Sequence, residues 1–90
     1  MQKETAVKKS FVGLKHEMDE ACEFMRSFTL GRQGFTRRDG VDGIGRVNDL
    51  CGRMQKDFGS GLHEKETGNA VASAHGKIRA AQARLDLLRK

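Results

Sequence analysis

Apolar residues recur at spacings of three and four along most of this chain. The first series is Phe11, Leu14, Met18, Ala21, Met25 and Phe28. Because this spacing aligns side chains on one side of a helix, the series predicts a core-facing helix over about residues 5–30. Val7 extends the apolar stripe, Thr5 is the predicted N-cap, and Gly31 suits the left-handed position that closes a helix.

Two further series predict two more helices. The second predicted helix covers about residues 42–58 and carries Ile44, Val47, Cys51, Met54 and Phe58. The third covers about residues 68–89 and carries Val71, Ala74, Ile78, Ala81, Leu85 and Leu88. Between the two series the period slips and three glycines occur, which predicts a loop, although a stutter in one long bent helix also fits.

The three segments predict one all-α domain over residues 1–90. Short connections favour antiparallel neighbours, so the expected fold is a small up-down-up three-helix bundle. In the register that aligns the first two series, Phe28 faces Ile44 and Cys22 faces Cys51. The alternative joins the last two helices into one, giving a helical hairpin that dimerises into a four-helix bundle.

The segment GFTRRDGVDGIG, residues 34–45, has the glycines and arginines of a phosphate-binding loop. Its spacing matches neither the dinucleotide fingerprint nor the P-loop, and its two aspartates would repel an anion. Capping by Thr36 would place three glycines inside a helix at about 1 kcal/mol each relative to Ala. We therefore expect Asp42 to cap the second helix and Thr36 to lie at the apex of the turn.

Composition narrows the class of protein. The chain has 90 residues, a net charge of +5, no Pro, Trp or Tyr, and two cysteines. It has no apolar run long enough to span a bilayer and no secretory signal, so a soluble cytoplasmic protein without membrane attachment is expected. Two cysteines do not make a disulfide framework, and reduced core thiols are the expected state, with a redox-sensitive pair as the alternative.

No residue set carries a catalytic or metal-binding signature. Ser60, His63 and Glu64 have the residue types of a catalytic trio, but a flexible loop does not hold them in place. We expect His63 to be solvated and either Ser60 or Thr67 to be a cap. The histidines share no ligand spacing with each other or with a cysteine, so the predictions are no enzyme, no cofactor and no metal.

The remaining hypothesis is a non-enzymatic interaction module that acts as a regulator, inhibitor or accessory subunit of a larger protein. The predicted partner-binding residues are basic residues of the first inter-helix loop and the second helix, and an acidic group on the first helix: Arg32, Arg37, Arg38, Arg46, Arg53, Glu17, Asp19, Glu20 and Glu23. The alternative is nucleic-acid binding, with arginines and a lysine on phosphates and a phenylalanine stacked on a base: Arg37, Arg38, Arg46, Lys56 and Phe35. The sequence is also compatible with a homodimer.

Overall fold

A computed structural model describes residues 10–32 and 34–88, which form three helices. These are α1 (Phe11–Thr29), α2 (Arg37–Phe58) and α3 (Glu64–Leu88). Each helix packs against the other two, in an elongated body with extents of 48 × 31 × 16 Å. The all-α, up-down-up three-helix bundle is therefore confirmed.

The core lies between the three helices and takes about one residue per turn from each. Its members are Phe11, Leu14, Met18, Ala21, Met25, Phe28, Val47, Leu50, Cys51, Met54, Val71, Ala74, Ile78, Ala81 and Leu85. All six residues of the first predicted series are buried. The second predicted series did not include Leu50, which is buried. Two of its members, Ile44 and Phe58, are only partly buried at the edge of the core.

Helix α1 begins later than the predicted residue 5. Ser10 is its N-cap, in an extended conformation, and the Ser10 hydroxyl accepts a hydrogen bond from the Gly13 N–H at 3.0 Å. The predicted cap Thr5 and the apolar Val7 lie outside the described residues. Gly31 follows the end of α1 with φ of 75°, which confirms the predicted left-handed closure.

The predicted start of α2 at Asp42 was wrong, because Thr36 is the N-cap. The Thr36 hydroxyl accepts from the Asp39 N–H at 3.2 Å, and the Asp39 carboxylate accepts from the Thr36 N–H at 2.8 Å. This reciprocal pair is a capping box, and it starts the helix at Arg37. Asp42 lies inside α2, and the turn covers the residues between Thr29 and Arg37.

Close packing explains two of the four glycines inside α2. Gly40 and Gly43 are buried against α1, where a Cβ atom on Gly40 would lie within 2.8 Å of three ring carbons of Phe28. A Cβ atom on Gly43 would overlap the end of the Met25 side chain. The tertiary contact therefore outweighs the low helix propensity of glycine.

The same contacts correct the predicted register. Phe28 and Met25 lie on Gly40 and Gly43, rather than on Ile44 and Val47, so α2 is shifted by one turn, or about 6 Å along the bundle. Cys22 and Cys51 are both free thiols, and burial, together with the nearby Cys22, raises the pKa of the Cys51 thiol.

Helices α2 and α3 are separate, which excludes the single long helix of the hairpin-dimer alternative. Gly59 ends α2, and Gly61 reverses the chain with φ of 91°. The Glu64 N–H bonds to the Gly61 carbonyl at 3.2 Å, and α3 begins at Glu64, four residues before the predicted position.

Candidate functional site

An open groove lies between α1 and α3, with a volume of about 690 Å³. Because α1 and α3 run in the same direction, their charged side chains form two parallel walls. The α1 wall carries Lys15, Asp19, Glu23 and Arg26, and the α3 wall carries Glu66, Asn69, Ser73 and Lys77. The groove thus has a polar rim along its whole length.

The floor of the groove is apolar. It consists of Met18, Cys22 and Ala70, of which Met18 is 2% exposed. Burial raises the pKa of the Cys22 thiol, and the nearby Lys77 opposes this effect only in part. Because the thiolate is the nucleophilic form of cysteine, the raised pKa keeps Cys22 a neutral, weakly reactive floor residue at neutral pH.

Two of the four predicted acidic partner-binding residues line this groove. Asp19 and Glu23 lie on the α1 wall, and the Asp19 carboxylate is 3.5 Å from the Lys15 ammonium. The other two point elsewhere on α1: Glu20 pairs with His16 at 3.3 Å, and Glu17 is partly buried away from the groove lining. The predicted acidic group is therefore divided between two surfaces.

The predicted basic residues are exposed but do not form one cluster. Arg32 lies in the turn between α1 and α2, Arg37 and Arg38 occupy the first turn of α2, and Arg53 lies about 24 Å further along that helix. Arg46 lines a second, smaller cavity of about 150 Å³ between α1 and α2, with Phe24 and Asp42 among the other lining residues.

Charge is divided along the bundle axis. We call one half of the bundle the lower half. It contains the start of α1, the end of α2 and the start of α3, which are residues 10–20 and 48–75. It has four basic and seven acidic residues, a net charge of −3. The upper half (residues 21–32, 34–47 and 76–88) has eight basic and four acidic residues, a net charge of +4.

The predicted stacking residue Phe35 takes part in the bundle itself. Its ring makes edge contacts with Phe24, at a centroid distance of 5.1 Å, and with Phe28, at 6.4 Å. Gly40, Gly43 and Gly45 lie inside α2. The Asp39 N–H donates to the Thr36 hydroxyl, and the Thr36 N–H donates to the Asp39 carboxylate. The segment is a cap and a helix start rather than an anion-binding loop.

His63 closes the lower end of the bundle, contrary to the predicted solvated position. Its ring stacks on Phe11 at a centroid distance of 4.0 Å and meets the edge of Phe58 at 5.8 Å. Its Nδ1 atom lies 3.1 Å from the Glu66 carboxylate. Phe11 and Phe58 are the apolar residues of α1 and α2 that lie at this lower end of the bundle. Their position could have indicated that the loop before α3 covers them.

Two further residues have positions that the sequence did not indicate. Thr67, a predicted cap, is 1% exposed and lies inside α3. Arg84 packs its guanidinium over Gly31, where a Cβ atom would lie 2.8 Å from the Arg84 Nη2 atom. This places a positive charge at the C-terminal end of α1, where the helix dipole favours it.

No set of three or more His, Cys, Asp or Glu side chains among the described residues could hold a metal ion. None of the three helices is long and apolar enough to cross a bilayer. Comparison of the chain with protein-family models, curated proteins and solved structures finds no significant match.

Proposed function

We propose that this protein is a non-enzymatic interaction module that binds one helix of a larger protein in the groove between α1 and α3. The observation that carries the proposal is the form of the groove: an apolar floor of Met18, Cys22 and Ala70 between two polar walls. An amphipathic helix laid into such a groove buries its apolar side and keeps its polar edges at the rim.

The dimensions of the groove fit a helical ligand. Its lining on α1 runs from Lys15 to Arg26, about 16 Å, which equals about three turns of a bound helix. A fourth helix in this position would pack against α1 and α3 and complete a four-helix arrangement.

The charges of the groove specify the bound helix further. Asp19 and Glu23 lie at the centre of the α1 wall, and Lys15 and Arg26 lie at its ends. Complementary charges improve specificity and the rate of encounter. The preferred ligand is an amphipathic helix with basic residues beside the middle of its apolar stripe and acidic residues towards its ends.

An affinity capture with matched variants tests this function. The full chain is used on a nuclease-treated lysate of the source organism, beside Ser73→Arg in the groove and Gln55→Arg on α2. Both original residues are exposed, so both variants should fold, which circular dichroism checks. We expect a stoichiometric protein that Ser73→Arg loses and Gln55→Arg retains. A protein captured equally by both variants, or none at all, would contradict the groove as the binding site.

Nucleic-acid binding is a second candidate, which the net charge of +4 in the upper half favours. Arg37 and Arg38 are exposed there at the start of α2. If they contact phosphates, affinity for duplex DNA should fall by roughly 0.9 log unit per log unit of salt for each phosphate neutralised. Replacing both with Ala should reduce the affinity and this slope, whereas no binding at about 50 mM salt removes the candidate.

A further inference from the structure

A second cavity extends the groove at the lower end of the bundle. This end cavity has a volume of about 450 Å³, and Phe11, Val12 and His63 are among its lining residues. Val12 is 76% exposed. A helix in the groove that continues by one turn past Lys15 therefore reaches an uncovered apolar surface. The residues that line both the end cavity and the groove are Lys15, Asp19 and Glu66.

One face of the His63 ring is not covered by another ring of the described residues. The opposite face stacks on Phe11 at a centroid distance of 4.0 Å, with the two planes 1° apart. Phe58 lies beside this pair, because its ring is nearly perpendicular to both and lies 5.4 Å from Phe11 and 5.8 Å from His63. The His63 side chain is 32% exposed. A further aromatic ring in the end cavity would extend the stack.

Each titratable group that lines the end cavity has a partner within the chain. A charged side chain that entered the cavity would lose water and meet no unpaired counter-charge among these described groups, which costs free energy. A neutral aromatic ring would instead bury the exposed surface of Val12 and His63. The existing pairs are Lys15 with Asp19 at 3.5 Å, His16 with Glu20 at 3.3 Å, and His63 with Glu66 at 3.1 Å.

The upper end of the groove has excess positive charge instead. Arg26 on α1 and Lys77 on α3 both line it. Lys77 donates a hydrogen bond to the Ser73 hydroxyl at 3.2 Å, but neither cation forms an ion pair with a carboxylate of the described residues. Glu23, one turn before Arg26, offsets one of the two positive charges and leaves a net charge of +1 at this end. A carboxylate on the bound helix would compensate for it.

We propose that the helix bound in the groove has an aromatic residue that stacks on His63 in the end cavity and an acidic residue that pairs with Arg26 and Lys77. The proposal rests on the helix-binding function of the groove and adds the chemistry of the bound helix. Along α1 the rise from Val12 to Arg26 is about 21 Å, so these two anchor residues lie about 14 positions apart on the bound helix.

The acidic anchor residue indicates the direction of the bound helix. An acidic residue stabilises the first turn of a helix, so the bound helix begins at the upper end of the groove. It then runs antiparallel to α1 and α3, which both begin at the lower end. Its positive N-terminal end consequently lies beside the negative C-terminal ends of α1 and α3, which favours the same direction.

Synthetic peptides added to the full chain test the two anchor residues. The main peptide is a fluorescein-labelled amphipathic helix of about 20 residues, with a leucine stripe, a glutamate in its first turn and a tryptophan about 14 positions later. Two others replace the tryptophan with alanine or the glutamate with glutamine, and a fourth exchanges the two positions. We expect fluorescence anisotropy to show affinity about tenfold weaker without tryptophan or after the exchange. Without glutamate it should be about twofold to fivefold weaker, and high salt should remove this effect.

Variants of the chain assign each effect to its anchor residue. Val12→Glu should abolish the advantage of the tryptophan peptide over its alanine form, as a double-mutant cycle measures. Leu87→Glu is the control, since Leu87 is 66% exposed and does not line the groove. Lys77→Glu should reverse the preference for glutamate, whereas Arg79→Glu, outside the groove on α3, should retain it. All four side chains are partly or fully exposed, so the variants should fold, which circular dichroism checks.

The outcomes separate the anchor residues from the groove. Binding that Ser73→Arg abolishes, but that all four peptides share equally, would overturn the anchor residues and leave the groove as a helix-binding site. A tryptophan effect that Val12→Glu leaves unchanged also overturns the proposal. So does a main peptide that does not bind at up to about 1 mM, whereas the groove itself is tested separately by the capture of a cellular protein.

Discussion

Gly40 lets the Phe28 ring lie directly on the backbone of α2, and this contact sets the spacing between α1 and α2. Three ring carbons lie within 2.8 Å of where a Cβ atom would be. The ring is buried at 1% exposure and belongs to the closely packed core, so it has little room to move. The register of α2 on α1 thus depends on one missing methyl group.

Gly40→Ala should lower the free energy of unfolding by about 1–3 kcal/mol, because the added methyl overpacks the core. Gly45→Ala is the matched control: its Cβ atom would meet nothing within 4 Å. It should stabilise the protein by about 0.5–1 kcal/mol through helix propensity. Urea unfolding of both variants measures the difference. Equal effects at the two positions would show that Gly40 is not packed under Phe28.

His63 is the second residue with a structural role that its loop position conceals. Its ring is sandwiched into the lower end of the bundle by Phe11 and Phe58, and its side chain is 32% exposed. An aromatic contact of this kind contributes about 0.5–1.5 kcal/mol beyond the area it buries.

His63→Ala should therefore destabilise the protein by about 1–2 kcal/mol. His16→Ala is the control, since the His16 side chain is 73% exposed on α1 and should change stability by less than about 0.5 kcal/mol. Thermal unfolding at one fixed pH compares the two. If both variants unfold at the same temperature as the original chain, the stacked position of His63 is wrong.

At the scale of the element, the capping box of Thr36 and Asp39 decides where α2 begins. Thr36→Ala should lower stability by about 1 kcal/mol, because it leaves the Asp39 N–H without its acceptor. Asp42→Ala should have a smaller effect, since Asp42 lies inside the helix. Amide hydrogen exchange should show faster exchange in the first turn of α2 for Thr36→Ala alone. A larger effect of Asp42→Ala would instead indicate that α2 begins at residue 42.

Apolar spacing predicted the existence and the buried side of each helix, because burial follows the 3.6-residue period directly. It did not predict where α2 begins, because the cost of three helical glycines is local while the contacts that compensate for it come from Phe28 and Met25 on α1. The predicted start of α1 was wrong for a simpler reason, because the Ser10 hydroxyl caps the helix just before Phe11. The first residue of a helix therefore depends on contacts that the apolar spacing of that helix alone does not show.

At the scale of the whole molecule, the candidate site comes from how the helices are placed side by side. The sequence predicted a docking surface of four acidic residues on α1, of which Asp19 and Glu23 line the groove. It could not show that Ser73 and Lys77 form the opposite wall. That wall depends on the level of α3 relative to α1, which the loop after α2 sets. The division of charge between the halves likewise appears only once the helices are aligned.

The most direct test of the helix-binding groove places a photo-cross-linking amino acid at Ser73, inside the groove, and separately at Gln55 on the exposed side of α2. Illumination in a nuclease-treated lysate of the source organism should attach one protein stoichiometrically at position 73, through a helical peptide of that protein, and nothing comparable at position 55. Adducts equal at the two positions, or absent from position 73, would contradict a helix-binding groove between α1 and α3.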